Sequence, residues 1–259
     1  MAQPSKTPIL DEQLPLLEAK LRKTAEVVQR AIGKMRAVEQ GTSKPEQVGL
    51  IPNKKNTKTG AEMFSDMASK EDNIAPCCEN GKGIPRWLAH GPVHLSPTDV
   101  VTRLFAGNDR REVWGPGWNN TDIVKSWTGS DGKRFEVFRD NLKPLMGGLV
   151  TPRSFLEARI FWTEDEGRTG WIAFIGLDDL TEAQLGLAPG PAGTYTPGFM
   201  FPSGSLALSK QKEGSDKPLS EVYSLVHVSP GGSIPQWIAS KGTGMELWNF
   251  CDGPAAVWH

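Results

Sequence analysis

The sequence predicts an α+β domain built on an antiparallel sheet. Three observations carry this reading. Segments that alternate apolar and polar residues follow one another from Arg134 to Val228. A helix start stands ahead of them at Ser96-Pro97, and a second helix follows the last of them, after Ser229-Pro230-Gly231-Gly232. Hairpin-linked strands with one short early helix and one late helix describe this class. Pattern alone also admits an antiparallel barrel.

The elements read in order as follows. Asp11 to Gln40 is one long helix, because Leu14, Leu17, Leu21, Val28, Ala31, Met35 and Val38 recur at three- and four-residue spacing, with Thr24 as a polar interruption. Gly41 is the expected stop. The middle of this helix is basic, with Lys20, Arg22, Lys23, Arg30, Lys34 and Arg36 against Glu26. That composition fits a helix packed on the domain with a solvated basic face. A dimerising coiled coil, hence a homo-oligomer through this helix, and a membrane-surface helix are the sharper alternatives.

Thr42 to Thr59 is a polar connector, and a short helix is expected over Gly60–Ser69. Pro76 to Pro85 reads as a loop carrying Cys77 and Cys78, two ordinary thiols rather than a strained vicinal disulfide. Ser96 as N-cap, Pro97 in the first turn and Asp99 beside it start a helix whose stripe is Val100, Val101, Leu104 and Phe105, ended by Gly107. Asp109 to Trp127 mixes loop and strand around Trp114, Trp118 and Trp127. Strands follow at Arg134–Asp140, Phe155–Trp162, Trp171–Leu177, Phe199–Ser209 and Glu221–Val228, with a long insertion over Asp178–Thr196. Trp171–Leu177 is apolar on both faces, so both are covered. The Pro-Gly-Gly turn stops the last strand, Ser233 caps the late helix, and Pro235 fits its first turn. Gly242 and Gly244 interrupt the apolar pattern of that helix, which suggests a short or kinked element.

Composition bounds function. The chain has 259 residues, a formal net charge of −1 and only three cysteines, at positions 77, 78 and 251. No global field draws nucleic acid, no disulfide framework is present, and no Cys/His spacing would hold zinc, so neither a metal nor a cofactor is expected. Met1 to Glu12 has no apolar run, which reads as no signal peptide, and no apolar stretch approaches the ~20 residues that span a bilayer. A reducing, cytoplasmic location fits. Enzyme signatures are missing: there is no nucleophile elbow, phosphate loop or paired-histidine zinc motif. His227 shares a strand face with Tyr223 and Leu225 and reads as a hydrogen-bonded wall residue.

Two segments carry a family resemblance. Ser229 to Ile238, with its strand, glycine turn and helix start, resembles the strand-to-helix junction of START domains, the StAR-related lipid-transfer family. Thr151-Pro152-Arg153-Ser154-Phe155-Leu156-Glu157-Ala158-Arg159 is similar to the Arg-Asp-Phe-Val-x-x-Arg strand of that family, about the family's usual interval earlier. Ser154 and Ser229 stand where the family usually carries Asp, which marks a divergent member. The likeness runs from about Val93 to Lys241. It implies a helix-grip fold, also found in Bet v 1-like proteins: a curved antiparallel sheet around a cavity with a late lid helix. The division expected is 1–60, an N-terminal helix and connector, and 61–259, the lipid-binding domain.

The resemblance also implies a site. Along Phe155–Trp162, residues two apart share a face. Leu156, Ala158, Ile160 and Trp162 form a core face; on alternation alone Phe155, Glu157, Arg159 and Phe161 would face solvent. In START domains the second face lines the cavity, and Arg159 matches the cavity arginine. A buried guanidinium needs a partner, and Asp140 or Glu157 is expected to supply it. Arg153 matches the first arginine of the motif and is expected to make structural hydrogen bonds. Tyr223, His227, Trp237 and Ile238 complete the expected lining, the last two on the lid. The implied function is non-enzymatic: binding of a lipid or other apolar molecule, and its transfer between membranes through transient contact with their surfaces. The alternative is a helix-grip enzyme, a cyclase or hydrolase acting on an apolar substrate.

Overall fold

The computed structural model describes residues 11–67, 72, 84–108, 117–144, 150–178, 195–210, 217–232, 234 and 236–252. Cys77, Cys78, Ser233 and most of the 178–196 insertion fall outside them.

Helix α1 spans Leu14–Glu39 after a 3-10 turn at Asp11–Gln13. It ends on Gly41 at φ +69, where the amides of Gly41 and Thr42 return to the carbonyls of Val38 and Ala37. Leu17, Leu21, Val28, Ala31 and Met35 are buried, and the hydroxyl of buried Thr24 donates to the Lys20 carbonyl. The polar interruption is thus satisfied within the helix.

The strands are β1 (Ile51–Lys55), β2 (Glu62–Met67), β3 (Pro85–Val93), β4 (Trp118–Thr128), β5 (Arg134–Leu142), β6 (Arg153–Glu164), β7 (Thr169–Gly176), β8 (Thr196–Pro197), β9 (Phe199–Met200), β10 (Ser203–Ser209), β11 (Ser220–Val226) and β12 (Val228–Ser229). Helix α2 (Pro97–Asp99) runs on as a π-helical turn at Val100–Phe105, and α3 spans Gln236–Cys251. The main sheet has the order β1-β2-β3-β11-β10-β7-β6-β5-β4, antiparallel throughout, with β8 added parallel to β6. It is open: β1 and β4 are its edges, so the barrel alternative fails. Strand β1 is exposed along its length and carries Pro52, Lys54 and Lys55, residues that discourage pairing with another chain.

Each sheet face has its own helix. Leu17, Leu21, Val28 and Ile32 of α1 pack on Phe135, Leu156, Ala158, Ile160, Ala173, Ile175, Leu206 and Leu225. On the opposite face, Val100, Val101, Leu104 and Phe105 join Leu247, Phe250 and Cys251 of α3 over Met63, Ala89, Phe161, Ile172, Ala207 and Val222. The stripe expected to serve a coiled coil is therefore covered by the chain's own sheet, and a division at residue 60 separates two lengths of chain that share one core.

Two local readings are corrected. Residues 60–69 contain a strand, β2, not a helix. Ala61, Phe64 and Met67 are spaced like a helix, but pairing with β1 and β3 overrides that local preference. Helix α3 is continuous through Gly242 and Gly244. Gly244 is where the helix presses on the Trp87 indole: a Cβ there would stand 3.0 Å from ring atoms.

Candidate functional site

Strand β6 turns Arg153, Phe155, Glu157, Arg159 and Phe161 to the α3 face, and all five are buried. The solvent-facing reading from alternation is thereby overturned: the π-helical turn after α2 and the β8–β9 segment cover this row.

Arg159 is 1% exposed. Its partner is Glu136, directly opposite on β5, with Nε 2.7 Å and Nη2 2.5 Å from Oε2. Nη1 donates to the Phe105 carbonyl at 3.1 Å and Nη2 to that of Ala106 at 2.9 Å. The guanidinium lies 4.3 Å from the centre of the Phe138 ring. Arg159 thus clamps the carbonyl end of the π-helical turn to the sheet, the end where a cation is favoured. Phe105 in turn meets Phe174 and Phe250, so the clamp fixes an aromatic contact between α2, β7 and α3.

The expected pairing of Arg159 with Asp140 or Glu157 is corrected by register. Asp140 stands opposite Phe155, four residues along β6 from Arg159, or ~13 Å at the usual rise. It accepts a hydrogen bond from Thr121, whose hydroxyl in turn accepts from the Trp118 indole. Glu157 is buried opposite Gly176, two residues from Arg159 on the same strand face. Phe155 lies against Gly198, where any Cβ would stand 2.3 Å from the ring. Phe161 sits beneath the Arg134 guanidinium at 4.8 Å.

Tyr223 and His227 belong to the other face. Tyr223 packs in the α1 core, donates to Glu39 at 3.2 Å, and stacks on His90. Burial, reinforced by Glu39 and Glu221, pushes its hydroxyl pKa up. His227 stacks on Phe201 at 4.4 Å, and burial together with the Arg86 charge pulls its ring down to about 4. Trp237 and Ile238 lie in the first turn of α3, but their side chains are outside the described residues.

Sequence reasoning missed Glu136, which the alternation of β5 places beside Phe138 on the α3 face, and a buried network on the α1 face. There Arg86 holds Asp66 through Nε and Nη2 and Asp72 through Nη1. Burial opposes the charge on Arg86, but the two carboxylates outweigh it and the pKa is raised. His90, which has no partner nearby in sequence, meets Glu221 at 2.7 Å. Both depend on β3, which sequence reading did not identify.

A cleft of about 410 Å³ opens at the rim of the α3 face, lined by Thr98, Val101, Lys133, Arg134, Phe161 and Trp162 among others. Asp131, also on its wall, is held well below the usual carboxylate range by Arg22 and then Lys133. Among the described residues no helix is long and apolar enough to cross a membrane.

No sequence-family model matches the chain, and no curated protein matches it in sequence. Solved structures do match in shape. Human StAR-related lipid transfer protein 5 superposes with a TM-score of 0.59 at 15% identity, over 89% of this chain and 97% of that one. Human STARD10 gives 0.54 at 13% identity, over 85% and 80%. The lipid transfer and protein localization domain of human StarD13 (DLC2) gives 0.53 at 14%, over 83% and 95%. With its long first helix, open antiparallel sheet and late helix, the chain has the START-like helix-grip fold.

Proposed function

We propose that this protein binds a lipid or other apolar small molecule between α3 and the sheet, and carries it between membranes. The observation that supports this most is the α3 face itself. Phe138, Phe155, Phe161 and Ile172 make it apolar, and the Arg159–Glu136 pair sets a compensated polar point within it. A ligand tail covered by such a face gains about 25 cal/mol for each Å² of apolar surface removed from water. A hydroxyl or head group would meet the pair through Glu136 Oε1, the oxygen turned toward Arg134, directly or through water. Asp140 and Glu157 are further polar points on the same face, and Trp237 and Ile238 would contribute from the lid.

The anchoring of α3 suggests how it would open. Its C-terminal end is tied down: Asp252 accepts from Asn56 at 2.8 Å and Thr59 at 2.7 Å, and the Cys251 carbonyl presses on Gly91. Its N-terminal end follows the Gly231–Gly232 turn, with φ +68 and +66. Opening would swing that first half away from the sheet, at a cytoplasmic membrane surface where the ligand leaves.

The human proteins of similar shape carry lipid transfer in their names, which agrees with this reading. A helix-grip enzyme would be favoured by a carboxylate bonded to His227 inside the ligand cavity; His227 instead stacks on Phe201 of the α1 core, with no carboxylate bonded to its ring among the described residues. The test is direct. Mass spectrometry of organic extracts from the purified protein should find one class of apolar molecule at near-stoichiometric amount. A protein that carries none, and takes none from donor vesicles, overturns the proposal.

A further inference from the structure

Three arginines are buried among the described residues: Arg86 and Arg159, each 1% exposed, and Arg153 at 4%. A guanidinium offers carboxylates and phosphates two parallel N–H groups along its Nε/Nη2 edge. Arg86 fills that edge with Asp66, at 2.7 and 2.5 Å. Arg159 fills it with Glu136, at 2.7 and 2.5 Å.

Arg153 does not. Among the described residues only its Nη1 is engaged, and only by neutral oxygens: the Thr151 carbonyl at 2.7 Å, the Thr151 hydroxyl, and the Pro152 carbonyl at 3.5 Å. Its Nε is buried without a protein partner. Burial alone moves its pKa, downward, with no acid to oppose it. The residues that converge here are hydroxyls: Thr151 and Thr196 share a hydrogen bond at 3.0 Å, and β8 runs beside Arg153 with Thr196 directly opposite. Above them passes the Gly231–Gly232 turn. A Cβ on residue 232 would stand 3.4 Å from Nη2, so glycine keeps that approach open.

We infer that the Nε/Nη2 edge of Arg153, beneath the Gly231–Gly232 turn, binds an oxyanion of the phosphate class. An uncompensated buried cation is costly, and a phosphate oxygen pair matches the unused edge in both charge and geometry. The site is six residues along β6 from Arg159, ~20 Å at the usual rise, and does not depend on what the α3 face binds. The phosphate can be free in solution or belong to a lipid headgroup.

Two arms separate these sources. In the first, inorganic phosphate is titrated into the full-length protein against sodium chloride at equal ionic strength. Thermal unfolding is followed together with the arginine Nε–H signals of ¹⁵N-arginine-labelled protein. A saturable rise in Tm with a selective shift of the Arg153 Nε–H signal is expected. Arg153→Lys, which keeps the charge and loses the fork, should weaken the effect about tenfold or more, each tenfold being about 1.4 kcal/mol. In the second, sedimentation with phosphatidylcholine vesicles is compared with and without phosphatidic acid. Binding that needs phosphatidic acid and fails in Arg153→Lys, with no response to inorganic phosphate, assigns the site to a headgroup. The inference is overturned if neither arm responds, or if wild type and Arg153→Lys respond alike. The Nε–H signal needs no variant, so it decides even if the substitution impairs folding.

Discussion

Replacing Glu136 by Gln tests the central feature of the α3 face. The substitution keeps the shape and one acceptor oxygen but removes the charge opposite Arg159. Arg159 would then have no charged partner, only neutral acceptors: the amide oxygen and the Phe105 and Ala106 carbonyls. Two unit charges ~4 Å apart interact by about 4 kcal/mol at an effective dielectric of about 20. Breaking a buried pair by removing one partner typically costs about 3–5 kcal/mol. The two carbonyls soften that loss, so about 3 kcal/mol is expected for Glu136→Gln. At roughly 2–4 °C per kcal/mol for a chain of this size, Tm should fall by about 6–12 °C. Asp140→Asn is the internal comparison. Asp140 faces Phe155 and is held by Thr121, a bond an amide oxygen can also accept, so its change should stay within about 1 kcal/mol. Urea unfolding of both variants and wild type at pH 7 measures these differences. Should Asp140→Asn prove the costlier change, or Glu136→Gln fall within about 1 kcal/mol of wild type, the register argument is wrong.

Three further outcomes are expected. His227 has a folded pKa of about 4 against 6.5 when unfolded, so the unfolded chain binds more protons between those values. Stability should therefore decline as pH falls from 6.5 to 4, by on the order of 3 kcal/mol in all, and His227→Gln should flatten that slope in urea unfolding at stepped pH. Gly231→Ala would bring a Cβ to 2.0 Å from the Pro197 carbonyl oxygen at φ +68, and should cost on the order of 3 kcal/mol. Gly33→Ala, inside α1 with nothing within 4 Å, should stabilise by about 1 kcal/mol; the same sign for both in thermal unfolding would refute the account of these glycines. Deleting residues 1–41 should prevent folding, because it removes α1 from the core; a cooperatively folded truncation by circular dichroism would refute this.

Much of this architecture was legible in sequence because the relevant signals are local. The stripe of α1, the Ser96-Pro97 start and the glycine turn at 231–232 each rest on residues within a few positions of one another. The face of β6 was legible too, since alternation fixes which residues share a side. The partners on that face were not. The connection from β5 to β6 runs over residues 143–152, and its length leaves the register open. A slide of four residues keeps every side chain on its face, yet exchanges Glu136 for Asp140 opposite Arg159. Strand β3 was hidden by Pro85, Gly91 and Pro92, residues that usually mark loops. Without it, neither the Arg86 network nor the His90–Glu221 contact could be anticipated, and Tyr223 and His227 were assigned to the wrong side of the sheet.

The register also decides what each end of the α3 face can do. The compensated charge, Arg159 with Glu136, lies under the carbonyl end of the π-helical turn, whose Phe105 meets Phe250 of α3. Asp140 lies ~13 Å from it along the sheet, opposite Phe155. Arg159 is occupied in holding the end of the π-helical turn to the sheet, so a ligand group that competed for it would loosen that turn. The opposite end keeps a cation, Arg153, whose Nε meets no carboxylate among the described residues, next to the turn on which α3 would swing. In the two proposals, then, a neutral polar group and an anion have different addresses on one strand. Substitutions at Glu136 and Arg153 should alter the binding of apolar ligand and of phosphate separately, because sites this far apart without shared partners act nearly additively.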